Sequence, residues 1–182
     1  MANRSYLYTC DQVPTDESTD APRGLSELNY DIPLIHMLMA ANNPRRVQSA
    51  IWSEHDIAIL ADREHAIERA LAFADKVGAG TLDDRAAWDS DLAAMREFFA
   101  KVPPSKYVLL ECGEIWEMQC DSLDAIKAAA DKLVTDCQAT GARVDRALAG
   151  KEDTWLDEVR TEWQRHFGAS WSEHLYFSFG DQ

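Results

Sequence analysis

The sequence has no basic patch, no Cys-x-x-Cys pair and no apolar run approaching the length of a membrane span. Each absence excludes a class of function. With 18 basic against 32 acidic residues and a formal net charge of -14, the surface repels phosphate backbones, so nucleic acid is not an expected partner. The 5 histidines, His36, His55, His65, His166 and His174, never stand three or four apart, and no two cysteines have zinc-ligand spacing. A metal site is therefore not expected. No glycine-rich phosphate loop, serine elbow or His-Glu zinc helix occurs, so no catalytic residue and no cofactor is assigned. Glycine and proline number only 8 and 6, which argues against a disordered or collagenous chain.

What is present describes a folded protein. The chain has 182 residues, 46% of them hydrophobic, which is enough for one sizeable core and too short for two independent ones, so a single domain over residues 1–182 is expected. The segment Met1 to Tyr8 lacks the basic-then-apolar order of a secretory signal, which leads to the expectation of a cytoplasmic protein away from membranes. In that compartment Cys10, Cys112, Cys120 and Cys137 are expected to stay reduced and to act as small buried hydrophobes.

Along the chain, Ser5 to Cys10 reads as a strand, Asp11 to Gly24 as an exposed loop, and Asn29 to Pro33 as the start of a short helix ending near Ala41, with Asp31 as N-cap. Arg46 to Trp52 and Asp56 to Leu60 read as a hairpin. Helical spacing follows from Asp62 to Val77, with Asp62, one turn before His65, read as capping it, and from a Thr81 cap to Val102. Tyr107 to Leu110 is the clearest strand, and Ile115 to Met118 is expected beside it across a turn at Cys112-Gly113. Leu123 to Leu148 reads as a long helix interrupted or bent near Gly141, Trp155 to Phe167 as a further helix, and Leu175 to Phe179 as a closing strand. Strands and helices that do not alternate regularly point to an α+β domain, a mostly antiparallel sheet with helices packed on one face.

Several residues carry chemistry. A two-residue turn at Cys112-Gly113 would set Glu111 and Glu114 opposite one another, and like charges so placed are destabilising. Three outcomes relieve them: a cation or basic ligand between them, one carboxyl protonated, or a different turn that points them apart. Cys112 is a poor nucleophile candidate because Glu111 and Glu114 raise its pKa. Of the 6 tryptophans, Trp88, Trp155 and Trp163 fall on apolar helix faces, which leaves Trp52, Trp116 and Trp171 as surface candidates.

The segments Met1-Ala-Asn-Arg-Ser-Tyr-Leu-Tyr8, Gly24-Leu-Ser-Glu-Leu-Asn-Tyr-Asp-Ile-Pro-Leu34 and Leu110-Glu-Cys-Gly-Glu-Ile115 give the chain a resemblance to a family of bacterial proteins carrying a domain of unknown function. The resemblance implies a bacterial cytoplasmic protein and brings no catalytic residue. Charge and the missing motifs favour an acidic protein-binding role, immunity-type or regulatory, toward a basic protein. The alternative is a small-ligand binder or enzyme with a carboxylate site near the central hairpin. Asn29, Asp31, Glu111, Glu114 and Trp116 are the candidate binding residues.

Overall fold

The computed structural model describes residues 3–15, 17–18 and 20–179. Among the described residues, six strands form one sheet in the order β3-β4-β5-β1-β2-β6, and every pairing is antiparallel. They are β1 (Arg4–Cys10), β2 (Arg23–Asn29), β3 (Arg45–Val47), β4 (Ala58–Asp62), β5 (Tyr107–Glu111) and β6 (Ser170–Trp171). The helices are α1 (Leu34–Met39), α2 (Ala66–Gly78), α3 (Arg85–Phe99), α4 (Gly113–Gln119), α5 (Leu123–Leu148), α6 (Asp153–Thr161) and α7 (Trp163–Phe167).

The two-residue period of the strands sorts side chains between two cores. Leu7, Leu25, Ile59, Ala61, Val108 and Leu110 face the helices and join the large core with Phe73, Trp88, Leu133 and Val159. Tyr6, Tyr8, Cys10, Ala58, Leu60 and Leu109 face the other way, where Leu175, Phe177 and Phe179 cover them. The helix layer is therefore one-sided, as expected, and an irregular C-terminal segment closes the opposite face. Phe73 centres the aromatic packing of the helix layer, with ring centroids 5.6 Å from Trp155 and 5.8 Å from Phe167.

Several local expectations are corrected. The Asp11 to Gly24 loop ends earlier, because β2 begins at Arg23 and pairs with β1. The β3–β4 hairpin has a shorter first arm, and residues 48–57 form a long loop. Residues Leu175 to Phe179 are not a strand; the C-terminal pairing with β2 comes from β6 instead. Asp84, and not Thr81, caps α3, its side chain accepting from the Ala87 amide at 3.0 Å. Asp31 does not cap α1, whose N-cap is Pro33. Asp62 ends β4, and His65 takes the N-cap position of α2 in a left-handed conformation with no side-chain cap bond. The helix expected from Trp155 to Phe167 breaks at Glu162 into α6 and α7.

The long helix α5 runs unbroken through Gly141. Glycine serves close approach there: a Cβ at Gly141 would lie 2.8 Å from that of Ala41, so helix α5 could not seat against the end of α1 with a larger residue.

Candidate functional site

The largest correction falls on the candidate site itself. Strand β5 ends at Glu111 and the chain turns directly into α4, with Cys112 as its N-cap, so Ile115 to Met118 is helical and no hairpin sets Glu111 against Glu114. A glycine at 113 permits this junction, because a Cβ there would fall 2.1 Å from the Trp52 ring. Of the three ways to relieve the carboxylates, the differing turn is the one realised. A raised pKa also occurs, for another reason.

Glu111 is fully buried on the sheet face opposite the helices, across from Tyr6 in register. Its oxygens accept from Ser49 Oγ at 2.8 Å and the Ala50 amide at 2.7 Å, and the Ile51 amide adds to them. Burial pushes the carboxyl up to about 7, because these bonds favour the ionised form too weakly to replace lost hydration. No ion pair among the described residues includes it.

Glu114 has a separate set of partners. It accepts from the Arg4 amide at 2.9 Å and the Tyr6 hydroxyl at 2.8 Å, while its backbone carbonyl accepts from Asn3 at 2.7 Å. Burial, with Glu114 second, raises the Tyr6 phenol above its ordinary range. Asp31 accepts from the Ile32 amide and pairs with Arg165 at 3.0 Å. Asn29 is exposed at the end of β2, opposite Arg4. Trp116 is buried in the helix-side core, which corrects its reading as a surface residue. Trp52 and Trp171 are half-buried, the latter against Phe99.

Reading along the sequence missed His36. This α1 residue is wholly buried between β1 and β2, with Nδ1 3.3 Å from Ser5 Oγ and Nε2 2.9 Å from Ser26 Oγ. Ser5 donates its hydroxyl proton to the Asp31 carbonyl at 2.8 Å, so Nδ1 must carry the ring proton and Nε2 accept from Ser26. Burial lowers its pKa to about 3 and holds it neutral. It pins α1 to the sheet; lone-histidine sequence signals cannot separate such a role from a site.

The four cysteines are free, Cys120 half-buried and the others buried. Cys112 lies under full burial, which with Cys137 and Glu111 drives its thiol pKa well above the ordinary value. No group of three or more potential metal ligands gathers among the described residues, and no helix there is long and apolar enough to cross a membrane. One cavity of about 240 Å³ touches the Glu111 neighbourhood, lined by Ser49, Ala50, Ser53, Cys10 and Phe179 among others.

These features define an α+β domain whose candidate carboxylates are each committed to the chain's own backbone and side chains. Residues 11–152 match a domain of unknown function (DUF7822), and the chain belongs to that family. The matched span takes in two of the resembling segments, Gly24 to Leu34 and Leu110 to Ile115, while Met1 to Tyr8 precedes it. It also leaves out α6, α7 and β6. No curated protein and no solved structure matches the chain.

Proposed function

We propose that this is an acidic binding protein, immunity-type or regulatory, whose surface docks a basic protein partner. The observation that carries the reading is the division of charge. Ten of the twelve arginines stand in ion pairs with the chain's own carboxylates, so the formal charge of -14 is expressed outward as unpaired acid. The turn between α4 and α5 concentrates it. Glu117, Asp121 and Asp124 are exposed there beside exposed Met118 and Leu123, with no lysine or arginine between Gly113 and Ile126. Acidic side chains around an apolar pair suit a partner segment that offers lysine or arginine around an apolar anchor.

The alternative, a ligand site or enzyme gathering Asn29, Asp31, Glu111 and Glu114, has less support. Glu111 is committed to the β3–β4 loop, Glu114 to Arg4 and Tyr6, and Asp31 to Ile32 and Arg165. None of these presents a free carboxylate to a shared pocket.

Affinity capture from a lysate tests the binding reading, comparing the chain with a Glu117→Lys, Asp121→Lys, Asp124→Lys variant. Electrostatic docking requires that the same basic protein be retained at 0.1 M salt, lost at 1 M as the screening length falls from about 10 Å to about 3 Å, and lost by the variant at both. A capture that ignores salt and charge reversal, or one that is empty, overturns it.

A further inference from the structure

The chain leaves β1 at Asp11 and re-enters the sheet at Arg23, which stands opposite Thr9, while it enters β5 through Pro103, Pro104 and Ser105. Between these strand ends lies a recess of about 430 Å³, lined by Thr9, Asp11, Asp20, Arg23, Pro104 and Ser105 among others. Its volume falls within the range of small-ligand sites, about 300–1,000 Å³. Because α4 follows the far end of β5, the recess lies at the other end of the sheet from the acidic turn between α4 and α5.

Two opposite charges line this recess without pairing with each other. The Arg23 side chain makes no hydrogen bond, ion pair or ring contact among the described residues. Asp20 accepts from the Gln12 side-chain amide at 3.0 Å and has no cation among the described residues. Asp11 accepts from the Lys106 amide at 3.0 Å, and the cation it attracts is Arg63, whose own amide donates to the Lys106 carbonyl at 2.9 Å. Asp11 and Arg63 therefore offset one another, and Arg23 and Asp20 remain. Thr9 donates its hydroxyl proton to the Tyr107 carbonyl at 3.0 Å, so the hydrogen bond between the Thr9 and Ser105 hydroxyls uses the Ser105 proton. The Ser105 oxygen keeps a lone pair for a donor in the recess.

We propose that this recess binds a small zwitterion, an α-amino acid with an apolar side chain: Arg23 takes its carboxylate, Asp20 and the Ser105 oxygen take its ammonium, and the side chain rests on Pro103 and Pro104. Electrostatics selects this class over simpler ions. A lone anion meets Asp11 and Asp20 on a chain of formal charge -14, and a lone cation meets Arg23. A zwitterion has no net charge, so the field of the whole chain does not repel it, and it supplies both missing counter-charges through charge-assisted hydrogen bonds. The two prolines have a fixed φ, so the wall they form loses little freedom when a ligand settles on it.

Backbone-amide NMR of the full chain tests this, with L-alanine, L-leucine, L-methionine and L-phenylalanine as probes, each titrated to about 10 mM. Saturable shifts at Thr9, Asp11, Arg23 and Ser105 are expected from at least one of them. For the tightest of the four, the amide derivative lacks the carboxylate and the N-acetyl derivative lacks the ammonium. Each is expected to bind about 10- to 100-fold more weakly than the parent amino acid. Asp20 and Arg23 are exposed, so neither Asp20→Asn nor Arg23→Gln disturbs the core. In Arg23→Gln the amino acid is expected to bind no better than its amide, and in Asp20→Asn no better than its N-acetyl derivative. The proposal is overturned if none of the four probes shifts these amides, if the derivatives bind as tightly as the amino acid, if both variants keep the full affinity, or if inorganic phosphate at the same concentration gives the same shifts.

Discussion

Replacing the buried Glu111 with glutamine is expected to remove a fall in this protein's stability with rising pH. The folded pKa of Glu111 lies near 7 against 4.5 for an exposed carboxyl, so between these values the folded chain holds a proton that the unfolded chain has lost. Stability therefore falls as pH rises through that window. The span of about 2.5 units corresponds to about 3.4 kcal/mol in all, of which about 2.5 kcal/mol falls between pH 5 and pH 8. His36 works in the opposite sense. Its folded pKa of about 3 sits below the ordinary 6.5, so its contribution is present above 6.5 and is lost as pH falls toward 3. Where the two windows overlap, from about 4.5 to about 6.5, the slopes cancel and the unmodified chain shows a plateau. Glu111→Gln removes one slope and exposes the other, so its stability climbs across that interval at about 1.4 kcal/mol per pH unit. Urea titrations at pH 5, 6, 7 and 8 measure this directly. With a slope of about 2 kcal/mol per M, the variant's midpoint gains about 1 M on the parent by pH 8. Groups such as His65, raised by Glu68, and His166, lowered by burial, are common to both chains and drop out of the difference. Parallel pH profiles for the two chains would refute the reasoning.

Two further substitutions test packing and capping. Phe73→Ala removes the ring at the centre of the helix-side aromatic stack, fully buried between Trp155 and Phe167, and is expected to cost about 3–5 kcal/mol in chemical denaturation. Asp84→Ala removes the side-chain cap of α3 and is expected to cost about 1 kcal/mol, while Thr81→Ala leaves stability within about 0.5 kcal/mol; the reverse order would return the cap to Thr81.

Much of the fold was legible along the chain. The strand at Ser5 to Cys10, the strand at Tyr107 to Leu110 and the helical spacings of α2, α3 and α5 carry their periods in consecutive residues, and they lie close to where those periods put them. What failed failed at junctions. Ile115 to Met118 has strand-forming residues in too short a run to fix a period, and packing of Ile115 and Trp116 into the helix-side core decided for helix. Aromatic residues at Leu175 to Phe179 read as a strand for the same reason. They instead lie irregularly over the sheet, with the Tyr8 hydroxyl donating to the Phe177 carbonyl at 2.7 Å.

The candidate site divides along the same line. That the protein is acidic, that it is α+β and that Cys112 beside Glu111 and Glu114 is a poor nucleophile follow from composition and local pattern, which depend on neighbours in sequence. That Glu111 is buried without a cation, that Ser49 and Ala50 reach it from 62 and 61 residues away, and that His36 is a neutral pin between two serines were decided by tertiary structure alone. The reason is physical: the charge state of a carboxyl or an imidazole depends on the water and dipoles around it, and only the folded chain determines which distant groups take the water's place.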